Sequence, residues 1–180
     1  MPVTSPSPTS LPPTTLVLGG TRSGKSAYAE ALLNGQPSLY LATGQALDGE
    51  MAERIDHHRR RRGPSWSTLE EPLELPDALD GVLRPDRPVL VDCLTLWLSN
   101  LMRAECDVER ALGRLCEVLA QPAGPVVLVS NEIGMGLVPD NALARAFRDH
   151  QGLVNQRVAA ICRRVVFVAA GLPLILKDPS

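Results

Sequence analysis

Residues 16–26 read LVLGGTRSGKS, a stretch with a recognisable order of structural elements. An apolar run typical of a buried strand leads into a glycine-rich turn, after which a helical pattern begins. Gly19, Gly24, Lys25 and Ser26 fit the spacing G-x-x-x-x-G-K-[ST], in which backbone N–H groups turn inward around phosphates. Both flanks are those that a phosphate-binding loop requires. The sequence therefore predicts a nucleotide site at this turn.

The residues of this loop have separate expected roles. Lys25 reaches the β- and γ-phosphates, and the Ser26 hydroxyl is a ligand for Mg²⁺. The helix that follows adds the positive end of its dipole. Arg22 is an additional cation, directed at phosphate or at an acidic neighbour. The predicted nucleotide-binding residues here are Gly19, Gly20, Thr21, Arg22, Ser23, Gly24, Lys25 and Ser26.

Apolar strands alternate with helical patterns along the rest of the chain. Such alternation predicts an α/β fold, with a mainly parallel central sheet flanked by helices, of the P-loop NTPase type. The last helix is expected to begin after a cap at Asp140 and to bury a stripe formed by Leu143, Phe147, Val154, Val158 and Ile161. The predicted strands are 16–18, 38–43, 66–70, 88–93, 125–132, 164–170 and 172–176, and the predicted helices are 25–33, 48–62, 94–104, 107–120 and 141–163.

Acidic residues at strand ends are the candidates for holding the metal. Asp92 ends the apolar run VLVD, and the carboxyl end of a parallel strand faces the ligand crevice. We therefore predict that Asp92 and Ser26 are the metal-binding residues. Glu132, at the end of VLVSNE, is the rival, while the alternative for Asp92 is a helix cap.

Residues 48–62 read DGEMAERIDHHRRRR and form a charged helical pattern with two histidines. His57 and His58 point about 100° apart on a helix, so they do not grip one metal together. One interpretation is a solvated, ion-paired helix. The other is a neutral imidazole beside an arginine cluster, where imidazole attacks phosphorus and arginines hold the phosphates.

Composition excludes several classes of protein. The chain has 180 residues, 18 Lys plus Arg, 20 Asp plus Glu and a net charge of −2, so no global electrostatic attraction to nucleic acid is expected. Its aromatic fraction is only 3%, which disfavours base-stacking surfaces. No apolar stretch reaches the length of about 18 residues that a membrane span needs.

The chain is expected to be one catalytic domain, residues 16–180, after a tail. Residues 1–15 contain 12 Pro, Ser or Thr, a composition typical of disorder. The four cysteines lack the spacing of a zinc site or a redox pair, which fits a reducing cytoplasm. Cys93 and Cys162 are expected to be small core residues.

Three longer stretches carry a family resemblance: GGTRSGKS, YLATGQALDGEMAERIDHHRRRR followed by W-x-T-L-E, and SNEIGMGLVPDNALARAFRDHQGLVNQRVA. Together they resemble the bifunctional adenosylcobinamide kinase/adenosylcobinamide-phosphate guanylyltransferase family over about residues 15–177. The resemblance implies ATP- or GTP-dependent phosphorylation of adenosylcobinamide. It then implies GMP transfer from GTP to adenosylcobinamide phosphate, with Mg²⁺, in a cytoplasmic homotrimer.

The resemblance also implies site residues. The family's second reaction passes through a GMP-histidine intermediate, and its histidine corresponds to His57, which makes His57 and Lys25 the predicted catalytic residues. Further nucleotide contacts are implied for Thr43, Gly44, Gln45, His58, Arg59, Arg60, Arg61, Glu70 and Asp92.

Two other functions fit the phosphate-binding loop alone. A small-molecule kinase without guanylyl transfer would need Lys25 but not His57. A nucleotide-binding switch would bind nucleotide without corrinoid-dependent turnover. The histidine–arginine segment separates the bifunctional enzyme from both.

Overall fold

A seven-stranded sheet forms the centre of the chain in the computed structural model, which describes residues 11–33, 36–45 and 65–178. The strand order is β3-β2-β4-β5-β1-β6-β7, parallel throughout except for the antiparallel pair β6–β7. The predicted fold class is therefore confirmed. The strands are β1 Thr14–Gly19, β2 Ser38–Ala42, β3 Trp66–Glu70, β4 Val89–Asp92, β5 Val126–Asn131, β6 Arg164–Ala169 and β7 Leu172–Lys177.

Helices cover both faces of the sheet. Side chains alternate along each strand, so Leu16 and Leu18 join one apolar cluster while Val17 joins the other. Helix α1 packs on the Val17 side, and the other helices contribute to the Leu16 side. Strands buried on both faces explain the continuous apolar runs in the sequence. The described helices are α1 Lys25–Ala31, α2 Leu75–Val82, α3 Leu94–Arg103, α4 Val108–Ala120 and α5 Ala142–Ile161.

The first strand begins two residues earlier than the sequence indicated. Thr14 and Thr15 belong to β1 and are fully or almost fully buried, so the predicted tail boundary at residue 15 is wrong at this end. Hydrogen bonds explain the difference: the Pro13 carbonyl accepts from the Val126 N–H at 3.0 Å, and the Thr14 Oγ1 accepts from the Arg163 N–H at 2.9 Å. Sheet pairing therefore orders the end of a Pro-, Ser- and Thr-rich segment whose composition is typical of disorder.

Three helix predictions need correction. Helix α2 has no counterpart among the predicted helices, although Leu75, Leu79 and Leu83 have helical spacing and are buried. The cap of α5 is Asn141 instead of Asp140, because the Asn141 side chain accepts from the Ala144 N–H at 2.7 Å. Leu143, predicted for the buried stripe, is 70% exposed.

Candidate functional site: a phosphate-binding loop at the carboxyl edge of the sheet

The predicted loop connects β1 to α1, as the sequence indicated. Gly24 has φ 95° and caps the N-terminus of α1, while Arg22 has φ 57°. Both torsions are left-handed, and Gly24 adopts this conformation without the penalty that a Cβ atom would bring. The Ser23 N–H donates to the Gly20 carbonyl at 3.2 Å. The loop is therefore a tight turn with the N-terminus of a helix at its end.

The first residue of the loop, Gly19, lies very close to the backbone of β6 and to the side chain of Ser23. A Cβ atom on Gly19 would lie 2.5 Å from the Val168 carbonyl oxygen and 2.5 Å from Ser23 Oγ. The turn between β6 and β7 also supports the loop, because the Gly171 N–H donates to the Ser23 carbonyl at 2.8 Å. Glycine at position 19 is thus a steric requirement of the fold.

Two neighbouring glycines provide a matched test of this packing. We expect Gly19→Ala to lower the free energy of unfolding by about 1–3 kcal/mol, the usual cost of overpacking a tight site. Gly20→Ala is the control, since a Cβ atom on Gly20 would point into open space and meet nothing within 4 Å. Thermal unfolding of both variants is the measurement. Equal melting temperatures would contradict the assigned packing of Gly19.

Lys25 and Ser26 occupy the first turn of α1. Lys25 Nζ donates to the Gly20 carbonyl oxygen at 3.0 Å, so the ammonium group lies over the loop. Ser26 is half-buried beside it. Thr21 and Arg22 are exposed at the tip. The structure thus brings the predicted loop residues together around one turn, with the Lys25 ammonium group beside the Gly20 carbonyl.

Asp92 lies at the carboxyl end of β4, on the same edge of the sheet as the loop. Strand β5 separates β4 from β1, which places Asp92 about 10 Å from the loop strand at two strand spacings. Its Oδ2 accepts from the Tyr40 hydroxyl at 3.0 Å, and Tyr40 is buried. Asp92 is therefore a half-buried carboxylate oriented by a neighbouring strand.

Thr43 is buried and joins the ends of two strands. Its hydroxyl donates to the Cys93 carbonyl at 2.7 Å and accepts from the Cys93 N–H at 2.9 Å. The Thr43 carbonyl accepts from Asn100 Nδ2 at 2.8 Å. The Thr43 side chain thus holds the backbone beside Asp92, while Gly44 is half-buried and Gln45 is exposed.

Glu70 lies on the same edge but far from the loop. It ends β3 opposite Ala42, which is in turn opposite Asp92. Four strand spacings separate β3 from β1, or about 19 Å. Phosphates bound at the loop would therefore not contact the exposed Glu70 carboxylate. Of the two acids Asp92 and Glu70, the structure brings only Asp92 towards the loop.

The cysteine beside Asp92 is a core residue, as predicted. Burial raises the pKa of the Cys93 thiol to about 12, and the Asp92 carboxylate adds to the shift. Burial likewise raises the pKa of the Cys162 thiol to about 12. Both thiols are therefore protonated at neutral pH and are not nucleophiles.

Thiol labelling tests this conclusion. With iodoacetamide at pH 8, we expect exposed Cys106 to be alkylated while Cys93 and Cys162 stay unmodified in the folded protein. The thiolate is the reacting form, and it becomes abundant in the two buried groups only near pH 12. Mass spectrometry of tryptic peptides reports the sites. Rapid modification of Cys93 at pH 8 would contradict its assigned environment.

The histidine–arginine segment lies outside the described residues. This applies to the predicted helix 48–62 and to His57, His58, Arg59, Arg60 and Arg61. Among the residues that the structure does describe, no group of three or more His, Cys, Asp or Glu side chains could hold a metal. Ser26 and Asp92 nevertheless suit Mg²⁺, which uses one or two protein oxygens and completes its shell with phosphates and water. Across the described ranges, no helix has the length and hydropathy of a membrane span.

Sequence reasoning missed the residues that support the site. Tyr40 orients Asp92, and Asn100 bonds to both the Thr43 and the Pro72 carbonyls. These contacts connect positions that are more than 25 residues apart. The only available signal was a polar side chain within an otherwise apolar strand or helix.

Two solved structures share the fold. A protein of Pyrococcus horikoshii OT3 has a TM-score of 0.56 and 9% sequence identity, covering 94% of this chain and 88% of that one. An ATPase of the type III secretion system of pathogenic bacteria has a TM-score of 0.54 and 10% identity, with 94% of this chain and 57% of that chain covered. At such identities the likeness concerns the fold alone. Fold and loop together define a P-loop nucleotide-binding α/β protein.

Sequence comparison is more specific. The family model CobU, described as cobinamide kinase/cobinamide phosphate guanyltransferase, matches residues 15–176, and the chain belongs to this family. It is 48% identical to the bifunctional adenosylcobalamin biosynthesis protein CobP of Pseudomonas aeruginosa PAO1, with 90% of this chain and 96% of the relative covered. Identity to the bifunctional protein CobU of Salmonella typhimurium LT2 is 43%, with coverages of 90% and 98%.

Proposed function

We propose that this chain catalyses two successive reactions of adenosylcobalamin biosynthesis. In the first, a nucleoside triphosphate phosphorylates the hydroxyl of adenosylcobinamide. In the second, GTP donates GMP to the resulting phosphate, giving adenosylcobinamide-GDP and pyrophosphate. The observation that carries the proposal is the loop around Lys25, with Asp92 on the same sheet edge, in a chain that belongs to this family.

The loop provides what phosphoryl transfer requires. This reaction depends on positioning and on neutralising charge more than on covalent help from the protein. Lys25 and the backbone N–H groups at the start of α1 bind and orient the β- and γ-phosphates. Ser26 and Asp92 would hold Mg²⁺, and the ion would offset the negative charge of the phosphates.

Tyr40 provides a test of the metal-binding role of Asp92. Tyr40→Phe removes the hydroxyl that donates to Asp92 Oδ2. Loss of an outer contact of this kind typically weakens metal binding about 10-fold, so the Mg²⁺ concentration for half-maximal kinase rate should rise by about that factor. Tyr28→Phe is the matched control, since Tyr28 is the other of two tyrosines and lies on α1. An unchanged Mg²⁺ dependence in Tyr40→Phe would argue against Asp92 as a metal ligand.

Guanylyl transfer needs a different nucleophile, and we assign it to His57. Attack occurs at the α-phosphorus and pyrophosphate leaves, so a covalent GMP-histidine divides the transfer into two displacements. Neutral imidazole is the attacking form, and its ordinary pKa of about 6.5 makes that form abundant at neutral pH. Support comes from family membership and from the arginines that follow His57 in the sequence; these, with His58, Thr43 to Gln45 and Glu70, would contact the nucleotide.

The assembly and location belong to the same proposal. We infer a homotrimer in the cytoplasm, as the resemblance implies. Strand β7 supports association because Leu172, Leu174, Ile175 and Leu176 are all more than half exposed on this edge strand. The four free cysteines suit a reducing compartment. Sedimentation equilibrium should give three times the chain mass, and a monomer at micromolar concentration would contradict the trimer.

A coupled assay tests the function as a whole. Purified protein with Mg²⁺, ATP and adenosylcobinamide should yield the phosphate, and added GTP should convert it to adenosylcobinamide-GDP. Chromatography with mass detection resolves all three corrinoids. Phosphorylation without guanylyl transfer would favour a simple kinase. Nucleotide binding with neither product would favour a switch.

A further inference from the structure

Glu132 lies closer to the phosphate-binding loop than either of the acids assigned above. Strand β5 is directly between β1 and β4, and Glu132 is the first residue after β5. Its N–H donates to the carbonyl of Gly19, the first loop residue, at 3.1 Å. One strand spacing of about 5 Å therefore separates Glu132 from the loop strand, against two for Asp92.

The carboxylate of Glu132 has a defined orientation. Oε1 accepts from the Gly134 N–H at 2.6 Å, and a Cβ atom on residue 134 would lie 2.9 Å from that oxygen. Glycine thus permits the carboxylate to close this turn. Within the described ranges, Oε2 has no hydrogen-bond or ion-pair partner. One oxygen anchors the side chain and the other is available to a ligand.

The strand end that carries Glu132 is held by two helices. The Asn131 N–H donates to Thr95 Oγ1 of α3 at 2.9 Å, and the Asn131 carbonyl accepts from Asn155 Nδ2 of α5 at 3.0 Å. Asn155 also bonds to Ser130 and Gln151 in a buried network. A site on a strand end tied in this way keeps its geometry better than a site on a free loop.

We propose that Glu132 is the general base of the phosphorylation step, an inference that rests on the proposed function. As the substrate hydroxyl oxygen bonds to the γ-phosphorus, its proton passes to Glu132 Oε2. The bond from that phosphorus to the β–γ bridging oxygen breaks, and the nucleoside diphosphate leaves with the electron pair. The proton on Glu132 is then released to water.

Asp92 and Glu132 therefore have different proposed roles in phosphorylation. Asp92 accepts a hydrogen bond from the Tyr40 hydroxyl through one oxygen and lies one strand further from the loop, and it would hold the metal. Glu132 has an available oxygen, and its backbone is bonded to the first residue of the loop, so we assign it to the attacking hydroxyl. General bases contribute about 10²–10⁴-fold to a rate.

Glu132→Gln tests the assignment, because glutamine keeps an oxygen for the Gly134 N–H but cannot accept the proton. We expect the kcat for adenosylcobinamide phosphorylation to fall about 10²–10⁴-fold. ATP affinity, thermal stability and the rate of guanylyl transfer to supplied adenosylcobinamide phosphate should stay within about two-fold or a few degrees. Asp140→Asn, which alters an exposed carboxylate of the same connection, is the control.

A pH profile separates a base from a supporting residue. The pH dependence of the kinase rate should differ between the wild type and Glu132→Gln, because glutamine does not accept the substrate proton at any pH. A kinase rate within three-fold of the wild type would overturn the proposal, as would equal losses in both reactions. Absence of kinase activity from the wild type itself would instead refute the proposed function.

Discussion

Replacement of His57 by alanine is expected to abolish guanylyl transfer while phosphorylation of adenosylcobinamide continues. Removing the nucleophile from a covalent mechanism typically costs on the order of 10⁴–10⁶-fold in rate. Phosphorylation should stay within a few-fold, because it uses the loop around Lys25 and forms no bond to the protein. The measurement is the conversion of supplied adenosylcobinamide phosphate to adenosylcobinamide-GDP, followed by chromatography.

Variants of the two other histidines provide a control and a test of the alternative nucleophile. His150, on α5, is the third histidine of the chain, and His150→Ala should leave both reactions intact. His58→Ala should weaken GTP binding yet still form the covalent intermediate. Guanylyl transfer that persists in His57→Ala and disappears in His58→Ala would move the nucleophile to His58.

Loss of the Lys25 ammonium group is expected to impair both reactions. The Lys25→Ala variant lacks the cation over the loop and also the hydrogen bond to the Gly20 carbonyl. Loss of one such preorganised group costs about 10²–10³-fold in kcat, and nucleotide affinity should fall as well. Isothermal titration with ATP and GTP, together with both product assays, measures the effect.

The control for Lys25 is the only other lysine of the chain. Lys177 donates to the Ala159 and Ala160 carbonyls at the end of α5. Lys177→Ala therefore removes the same charge from a residue outside the proposed nucleotide site. We expect its activities to match the wild type. If Lys25→Ala retained both rates, the loop would not be the phosphate site. Loss of phosphorylation alone would mean that guanylyl transfer uses a second, independent nucleotide site.

Much of the fold is readable from local pattern. The loop spacing predicted β1, α1 and the tight turn. In such a loop glycine permits the turn, lysine contacts phosphate and serine is a ligand for Mg²⁺. Runs such as VVLV at 126–129 are buried on both faces, so their unbroken apolarity marked interior strands. Helix α2 was overlooked because it is short and begins within a proline-rich stretch, although Leu75 and Leu79 keep helical spacing.

The site was less predictable because it depends on strand order. Tyr40 and Asp92 are 52 positions apart and meet only because β2 and β4 are neighbours in the sheet. Strand order also places Glu132 next to Gly19, and separates Glu70 from the loop. Neither arrangement follows from residue spacing, since both result from how the crossover helices pack. Sequence could therefore identify which strand ends carry acids but not which acid faces the phosphates.

If the chain transfers GMP through a covalent histidine adduct, radiolabelled GTP should leave its label on the protein. Wild-type protein is incubated with Mg²⁺ and GTP radiolabelled at the α-phosphate or at the γ-phosphate, and is then denatured. We predict protein-bound label from the α-phosphate only, lost in acid and stable in base, as for a phosphoramidate. Absence of α-label despite demonstrated GTP binding would exclude the covalent GMP-histidine and leave a kinase or a nucleotide-binding switch.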